Sequence, residues 1–405
     1  MSRSPSFHEN HTGQYEAHLE IEGLDRQRND VIKTILEQIS YIDPRILRCS
    51  ASGTTITIVL CQAISEPDPL LEDIRQIVLE TIESYRHTKL EILFESSADT
   101  THLEDPFPTL LDRRELIPLQ AGVFSYQGGF LQTIEVLDAI FRYHALEMGA
   151  IEQSFGTTLP LRSLFENGYL RAFPHQALFV APLQRRLSEI RRLAEAKTPE
   201  EKAGILAQTI DDHGQVLSPV VCYHCFETLR GSCLSLDGSL FTACARCHRR
   251  ESEHESLVRL QTFLMREVIF FGRDTWVDSV RMNLIAHLRD LLLEWGIRFR
   301  IVTAYDPFFA GGHNKRLYQS YFSVKYECQL LLPHIQQWVA VASFNNHHTT
   351  LTRAYNIRGL SGSPIYSGCV GYGYERLAYG LYCQLGSDLG TWPEALRSHL
   401  IPARG

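Results

Sequence analysis

The stretch from Val220 to Gly272 constrains this chain most, because it gathers five cysteines, a run of paired charges and an apolar, strand-like segment into one short span. Cys222, Cys225, Cys244 and Cys247 fit C-x2-C, eighteen residues, C-x2-C, a spacing that belongs to a closed four-thiolate zinc site. Such a site would be a structural staple. Two features oppose it: the Pro and Gly of ribbon knuckles are missing, and Cys247 runs straight into His248, Arg249, Arg250 and Glu251. The residues alone leave that reading open beside another, in which some of these cysteines are buried core thiols.

A chain of 405 residues is long enough for two or three domains and a sizeable core. With 44% apolar and 21% charged residues it has the composition of an ordinary globular protein. It has no apolar run of about eighteen residues and no charged-then-apolar leader, so the expectation is a cytoplasmic protein without a membrane span. Ten cysteines spread over most of the length suit a reducing compartment. The net charge of -8 is uneven: up to Asp105 there are nine Lys plus Arg against nineteen Asp plus Glu. Nucleic-acid affinity depends on neutralising phosphates, so an acidic N-terminal region makes a poor tRNA arm.

Residues 1–14 are polar and read as a disordered tail. Residues 15–98 then read as strand, helix, two strands, helix and strand, the last from Leu90 to Glu95. That order suggests a small α/β sandwich of ferredoxin-like type, an accessory module for interaction or dimer stabilisation. Residues 99–110, with two prolines, read as a linker. From Leu111 the chain leads into a long amphipathic helix from about Gln132 to Met148, with Ile134, Val136, Leu137, Ile140 and Leu146 as its packing face.

Arg249 and Glu251, followed after a short loop by Arg259 and Phe263, resemble motif 2 of the class II aminoacyl-tRNA synthetases, with His248 standing where the motif has Phe. SGCVGYGYER, Ser367 to Arg376, resembles motif 3. The long helix and the strand reaching Pro160 look like the dimer-building motif 1. Within that class the chain from about Leu111 to its end (111–405) resembles the amino acid:[carrier protein] ligases, which are similar to the catalytic core of zinc-dependent seryl-tRNA synthetases of methanogens. RLQTFLMREVIFFG, YDPFFAGG, VKYEC and ASFNNHH also fall where that family has corresponding segments.

The resemblance implies an α+β fold, an antiparallel sheet flanked by helices, built as a homodimer. It implies ATP-dependent activation of a small amino acid to its adenylate, followed by transfer to the phosphopantetheine thiol of a carrier protein. Cys222, Glu267 and Cys369 correspond to the family's zinc ligands, and the open fourth position takes the substrate amine. Arg249, Glu251 and Arg376 correspond to catalytic positions; Arg249 would meet charge on the α-phosphate, and Arg376 the adenine or γ-phosphate. Arg259, Phe263, Glu327 and Ser343 would complete the ATP site, with Phe263 stacking on the base and Glu327 a candidate Mg²⁺ ligand. Asn345 lines the same floor, whereas His347 and His348 are read as structural or surface histidines. Glycine, alanine and serine are not separable as substrates. The rival readings are a zinc-type seryl-tRNA synthetase and a non-catalytic paralogue; retention of the motif arginines opposes the second.

Overall fold

The structure is a computed structural model and describes residues 6–9, 14–62, 69–85, 90–100, 102–209, 214–251, 256–304 and 325–400. YDPFFAGG, one of the segments that carried the resemblance, lies outside the described residues. Two compact units emerge, one drawn from Met1–Leu90 and the other covering Glu91–Thr303 and the chain from Lys325 onward. Among the described residues no helix is long and apolar enough to cross a membrane.

The first unit contains β1 (Ser6–Glu9), β2 (Tyr15–Glu20), α1 (Asn29–Ile39), β3 (Ile46–Ser52), β4 (Thr55–Leu60) and α2 (Pro69–Tyr85). Alternation along the strands puts Ala17, Leu19, Ile56, Ile58 and Leu60 on one face. There they meet Val31, Ile35 and Ile39 of α1 and Ile74 and Val78 of α2, spaced at three and four residues. The sheet order is β1-β2-β4-β3. The expected sandwich is corrected at both ends. Ser6–Glu9, assigned to a disordered tail, pair with β2 from Ser6 opposite His18 to Glu9 opposite Tyr15. β1 thereby takes the edge that the closing strand of a ferredoxin-like sheet would occupy. The strand expected there, β5 (Ile92–Glu95), pairs in the second unit instead, where Phe94 stacks on Phe299 with ring centroids 5.4 Å apart and Glu95 pairs with Arg298.

The 99–110 linker is also shorter than expected. Pro106 opens a helix, Pro106–Asp112, and Asp105 Oδ1 caps it by accepting from Phe107 N at 2.9 Å. Proline at the first helical position lacks only an N–H that has no partner there.

The second unit is built on an eight-stranded sheet. Its other members are α3 (Gly128–Glu147), β6 (Ile151–Glu152), α4 (Cys222–Thr228), β7 (Ser239–His248), β8 (Thr262–Gly272), α5 (Asp274–Glu294), β9 (Phe299–Thr303), β10 (Lys325–Leu332), β11 (Gln337–His348), β12 (Tyr366–Gly373) and α6 (Tyr374–Leu385). The order is β5-β9-β10-β11-β12-β8-β7-β6, antiparallel except for the parallel β7/β6 edge. The strand that follows α3 into the sheet is therefore Ile151–Glu152. Thr158–Pro160, expected in that role, lies in a separate three-stranded sheet.

One face of the large sheet is covered by α3, α5 and α6 through a continuous apolar core. Phe141 of α3 stacks on Tyr372 of β12, with centroids 4.0 Å apart and rings 7° from parallel. Asp138 of α3 clamps Arg266 of β8, which donates from Nε at 2.7 Å and Nη2 at 3.1 Å, and accepts from Tyr374 Oη at 2.8 Å. Gly129 lets α3 start here: a Cβ at that position would come within 3.1 Å of Tyr382 Oη. The opposite face, where α4 packs, carries the site.

Candidate metal centre and active site

Strand pairing sets a row of residues across the sheet: Ala243 of β7 is opposite Glu267 of β8, then follow Gly371 of β12, Ser343 of β11 and Glu327 of β10. Since strand side chains alternate, Cys369 and Asn345 form the neighbouring row on the same face. Cys222 begins α4, which rests on that face through Phe226, Ile269, Phe271 and Cys369. Its backbone N–H donates to Glu267 Oε2 at 2.7 Å. One ligand atom from each of Cys222, Glu267 and Cys369 lies within 4.8 Å of the other two, and all three side chains are buried. Asn345 Nδ2 is 3.6 Å and His347 Nε2 3.5 Å from Cys369 Sγ. A Cβ at Gly371 would sit 3.1 Å from Met265 Sδ and 3.5 Å from Glu267 Oε1, so glycine keeps the space beside that carboxylate clear.

The electrostatics of the trio suit a cation. Burial, and then the charge of Cys369, hold the Glu267 carboxyl well above its usual range. A hydrogen bond from Cys222 draws the Cys369 thiol down, with His347 and Asn345 adding to it. Cys222, as the partner that keeps its proton, is driven up. Three acids this close in apolar surroundings cannot all ionise alone. Two thiolates and a carboxylate are the donors that a borderline-soft dication such as Zn²⁺ accepts, and three protein ligands leave a fourth position open.

The four-thiolate alternative does not assemble. Three residues apart on one strand, Cys244 and Cys247 project to opposite faces of β7. Cys247 packs with Val221 and Ala243 on the site face, whereas Cys244 lies against the core behind the sheet, near Asp138. Among the described residues the Cys222, Glu267 and Cys369 set is the one group with ligand geometry.

The arginines divide into two kinds. Arg259 donates to Glu251 Oε2 at 3.3 Å and Arg266 is clamped by Asp138, so their charges are matched. Arg249 and Arg376 are held by carbonyls instead. Arg249 Nε donates to Pro219 O at 3.0 Å, and its guanidinium lies over the Phe263 ring, 5.2 Å from the centroid. Arg376 donates from Nε to Val258 O at 2.6 Å and from Nη1 to Ala340 O at 3.3 Å. Burial, and the nearby charges of Arg249 and Arg259, pull Arg376 below the usual guanidinium range against Glu251 and Glu327. Half-buried guanidinium groups held in place by carbonyls are suited to a polyanion. Glu327 meets Lys325 Nζ at 3.2 Å, and Ser343 Oγ accepts from Asn345 Nδ2 at 3.3 Å.

Two groups escaped the sequence reading. His347, set aside as structural or surface, stands against Cys369. Glu375, passed over beside Arg376, is 1% exposed and accepts from Leu264 N at 2.9 Å with both oxygens. Burial raises its carboxyl to about 7 against the hydrogen bonds that oppose the rise. A raised carboxyl favours the folded state fully below its unfolded value of 4.5 and loses that advantage as pH climbs through 7. Wild type should lose about 3 kcal/mol of stability relative to Glu375→Gln between pH 4.5 and pH 8. Thermal unfolding of both proteins across that range measures it, and parallel curves would contradict it.

Sheet order and layering define a class of fold, that of the class II aminoacyl-tRNA synthetases. A seryl-tRNA synthetase from M. kandleri, solved in complex with A. aeolicus tRNASec, superposes with a TM-score of 0.69 at 20% identity, covering 95% of this chain and 77% of that one. A cytoplasmic serine-tRNA ligase from Naegleria fowleri in complex with AMP gives 0.58 at 10% identity, covering 82% and 72%. No protein-family model matches the chain. Amino acid--[acyl-carrier-protein] ligase 1 of Bradyrhizobium diazoefficiens is 30% identical over 310 residues, which is 75% of this chain and 93% of that protein. A type-2 serine--tRNA ligase of Methanocaldococcus jannaschii is 26% identical over 267 residues, 63% of this chain and 51% of that protein. The chain belongs to the amino acid--[acyl-carrier-protein] ligase family and is a ligase.

Proposed function

We propose that the chain activates a small amino acid, glycine, alanine or serine, with ATP and passes the aminoacyl group to the phosphopantetheine thiol of a carrier protein. The observation that carries this reading is the site face itself: two arginines anchored by carbonyls beside a buried Cys222, Glu267 and Cys369 trio. Family membership supplies the amino acid and the carrier protein as the substrate classes.

In the first step a substrate carboxylate oxygen bonds to the α-phosphorus of ATP, the bond to the bridging oxygen breaks, and pyrophosphate leaves. Arg249 meets the charge that gathers on the α-phosphate. Arg376 lies against the adenine or the γ-phosphate, and Arg259, Phe263 and Ser343 line the nucleotide site. Glu327 would hold Mg²⁺, and Glu251, paired with Arg259, borders the adenine or the substrate amine. Cys222, Glu267 and Cys369 would hold Zn²⁺. When bound, that ion supplies an open position for an unprotonated α-amino group, which selects and orients α-amino acids. In the second step the thiol sulfur bonds to the carbonyl carbon, AMP leaves and the thiol gives up its proton.

The unit drawn from Met1–Leu90 serves as an accessory module and the unit that starts at Glu91 as the catalytic domain of a cytoplasmic homodimer. Exposed Tyr143 on α3 and Ile151 on the edge strand support a partner copy along that edge.

A second reading, a seryl-tRNA ligase, is favoured by the M. jannaschii relative and by the tRNA-bound structural neighbour. The acidic first hundred residues favour the carrier protein. The deciding experiment is amino-acid-dependent exchange of labelled pyrophosphate into ATP over the twenty amino acids, with and without a zinc chelator. Exchange with one small amino acid, stopped by the chelator, is expected. Absence of exchange in metal-replete protein would overturn the reading, and tight, strongly salt-dependent tRNA binding would favour the second.

A further inference from the structure

The pairing of β11 with β12 slips by one residue near the end of β11. Asn345 is opposite Cys369, Asn346 opposite Gly368, and His348 opposite Ser367, so His347 is left over. An extra residue in one strand is a β-bulge, a device that re-aims a side chain which strict alternation would send elsewhere. This one carries a backbone cost, because His348 has φ of 48°, a left-handed conformation uncommon outside glycine. Asn346 Oδ1 holds the bend by accepting from His348 N at 2.8 Å.

The bulge delivers an imidazole to the metal centre. His347 Nε2 lies 3.5 Å from Cys369 Sγ, its Nδ1 lies 3.4 Å from the buried Ser367 Oγ, and its ring meets Phe226 edge-on with centroids 5.8 Å apart. With the Ser367 hydroxyl donating to Nδ1, the ring proton sits on Nε2 and points at the sulfur. Asn345 Nδ2 reaches the same sulfur at 3.6 Å. His347 is not a fourth ligand, since only Cys222, Glu267 and Cys369 bring ligand atoms within 4.8 Å of one another among the described residues.

We infer that His347 is a positioning residue for the metal centre: the bulge aims its Nε2–H at Cys369 Sγ, which fixes that ligand's orientation and leaves the fourth position to the substrate. The inference rests on Cys222, Glu267 and Cys369 being the metal ligands. Partners that hydrogen-bond a metal's ligands typically change its affinity ten- to a hundredfold.

The test uses the full-length protein in four forms: wild type, His347→Leu, His347→Gln and Cys369→Ser. Zinc affinity is read by chelator competition, and the cobalt-substituted proteins are read by the sulfur-to-cobalt charge-transfer band. His347→Leu should bind zinc about 10- to 100-fold more weakly with a shifted band, and His347→Gln, whose amide can donate in place of Nε2, should recover most of the affinity. Wild-type affinity and spectrum in His347→Leu would overturn the inference, as would equal weakness in Leu and Gln, which would make packing rather than the N–H the cause. Unchanged zinc binding in Cys369→Ser would instead remove the ligand assignment beneath it. Should the leucine variant not fold, as judged by thermal unfolding of the metal-free protein, His347→Ala takes its place under the same criteria.

Discussion

Cys369→Ser is expected to lose zinc and to lose amino-acid-dependent pyrophosphate exchange with it. Serine keeps the volume and the strand but offers an alcohol that does not ionise near neutral pH, so one of two thiolate ligands disappears. The remaining Cys222 and Glu267 atoms still lie within 4.8 Å, yet two ligands hold the ion far less firmly than three, and affinity should fall more than a hundredfold. Exchange should fall by a similar or larger factor, because an amino acid whose amine is not held leaves its carboxylate out of line with the α-phosphate. Cys225→Ser and Cys244→Ser serve as matched controls. Cys225 packs against Phe226 and Ile269, and Cys244 sits on the far side of β7. Zinc content by atomic spectroscopy and exchange rates together decide it: zinc retained in Cys369→Ser but lost from either control would put the metal elsewhere.

What could be read from the residues follows how local the causing interactions are. The helices α1, α2 and α3 were legible because their apolar spacing is written within each segment, and β2, β3 and β4 because alternation is equally local. The fate of β1 and β5 was not. Four residues near the start, Ser6–Glu9, gain a strand only by pairing with β2, and Ile92–Glu95 fit either unit until Phe299 and Arg298 are placed beside them. The same limit produced the C-x2-C reading: that spacing suits a knuckle, but on a strand it separates Cys244 from Cys247 by the thickness of the sheet. Cys222, Glu267 and Cys369 are joined by pairings across a long stretch of sequence, so resemblance to a known family supplied what periodicity could not. His347 had no signal of either kind, since a one-residue slip leaves no mark in composition.

Arg249→Ala should lower the turnover of pyrophosphate exchange about 10²- to 10³-fold, the usual effect of removing one preplaced donor to developing charge and equivalent to about 2.7–4 kcal/mol. The fold should survive. Arg249 is tied to the protein by one bond to the Pro219 carbonyl and by its position over Phe263, and the cation–π contact contributes about 0.5–1 kcal/mol at a partly exposed site. Among the described residues its guanidinium is not clamped by a carboxylate as Arg266 is by Asp138; Glu251 and Glu267 act on it through charge. The loss should therefore appear in kcat, with the KM for the amino acid little changed, because the amine and the side chain of the substrate meet other groups. Zinc content should match wild type, which separates this variant from Cys369→Ser. Arg249→Lys should restore little, since an ammonium cannot present two coplanar N–H groups to a phosphate while also reaching Pro219. Arg250, the adjacent exposed residue, supplies the control: Arg250→Ala should exchange pyrophosphate at close to the wild-type rate. If the two alanine variants behave alike, the charge at the α-phosphate is met by another group, and Arg376, also held by carbonyls, becomes the residue to replace.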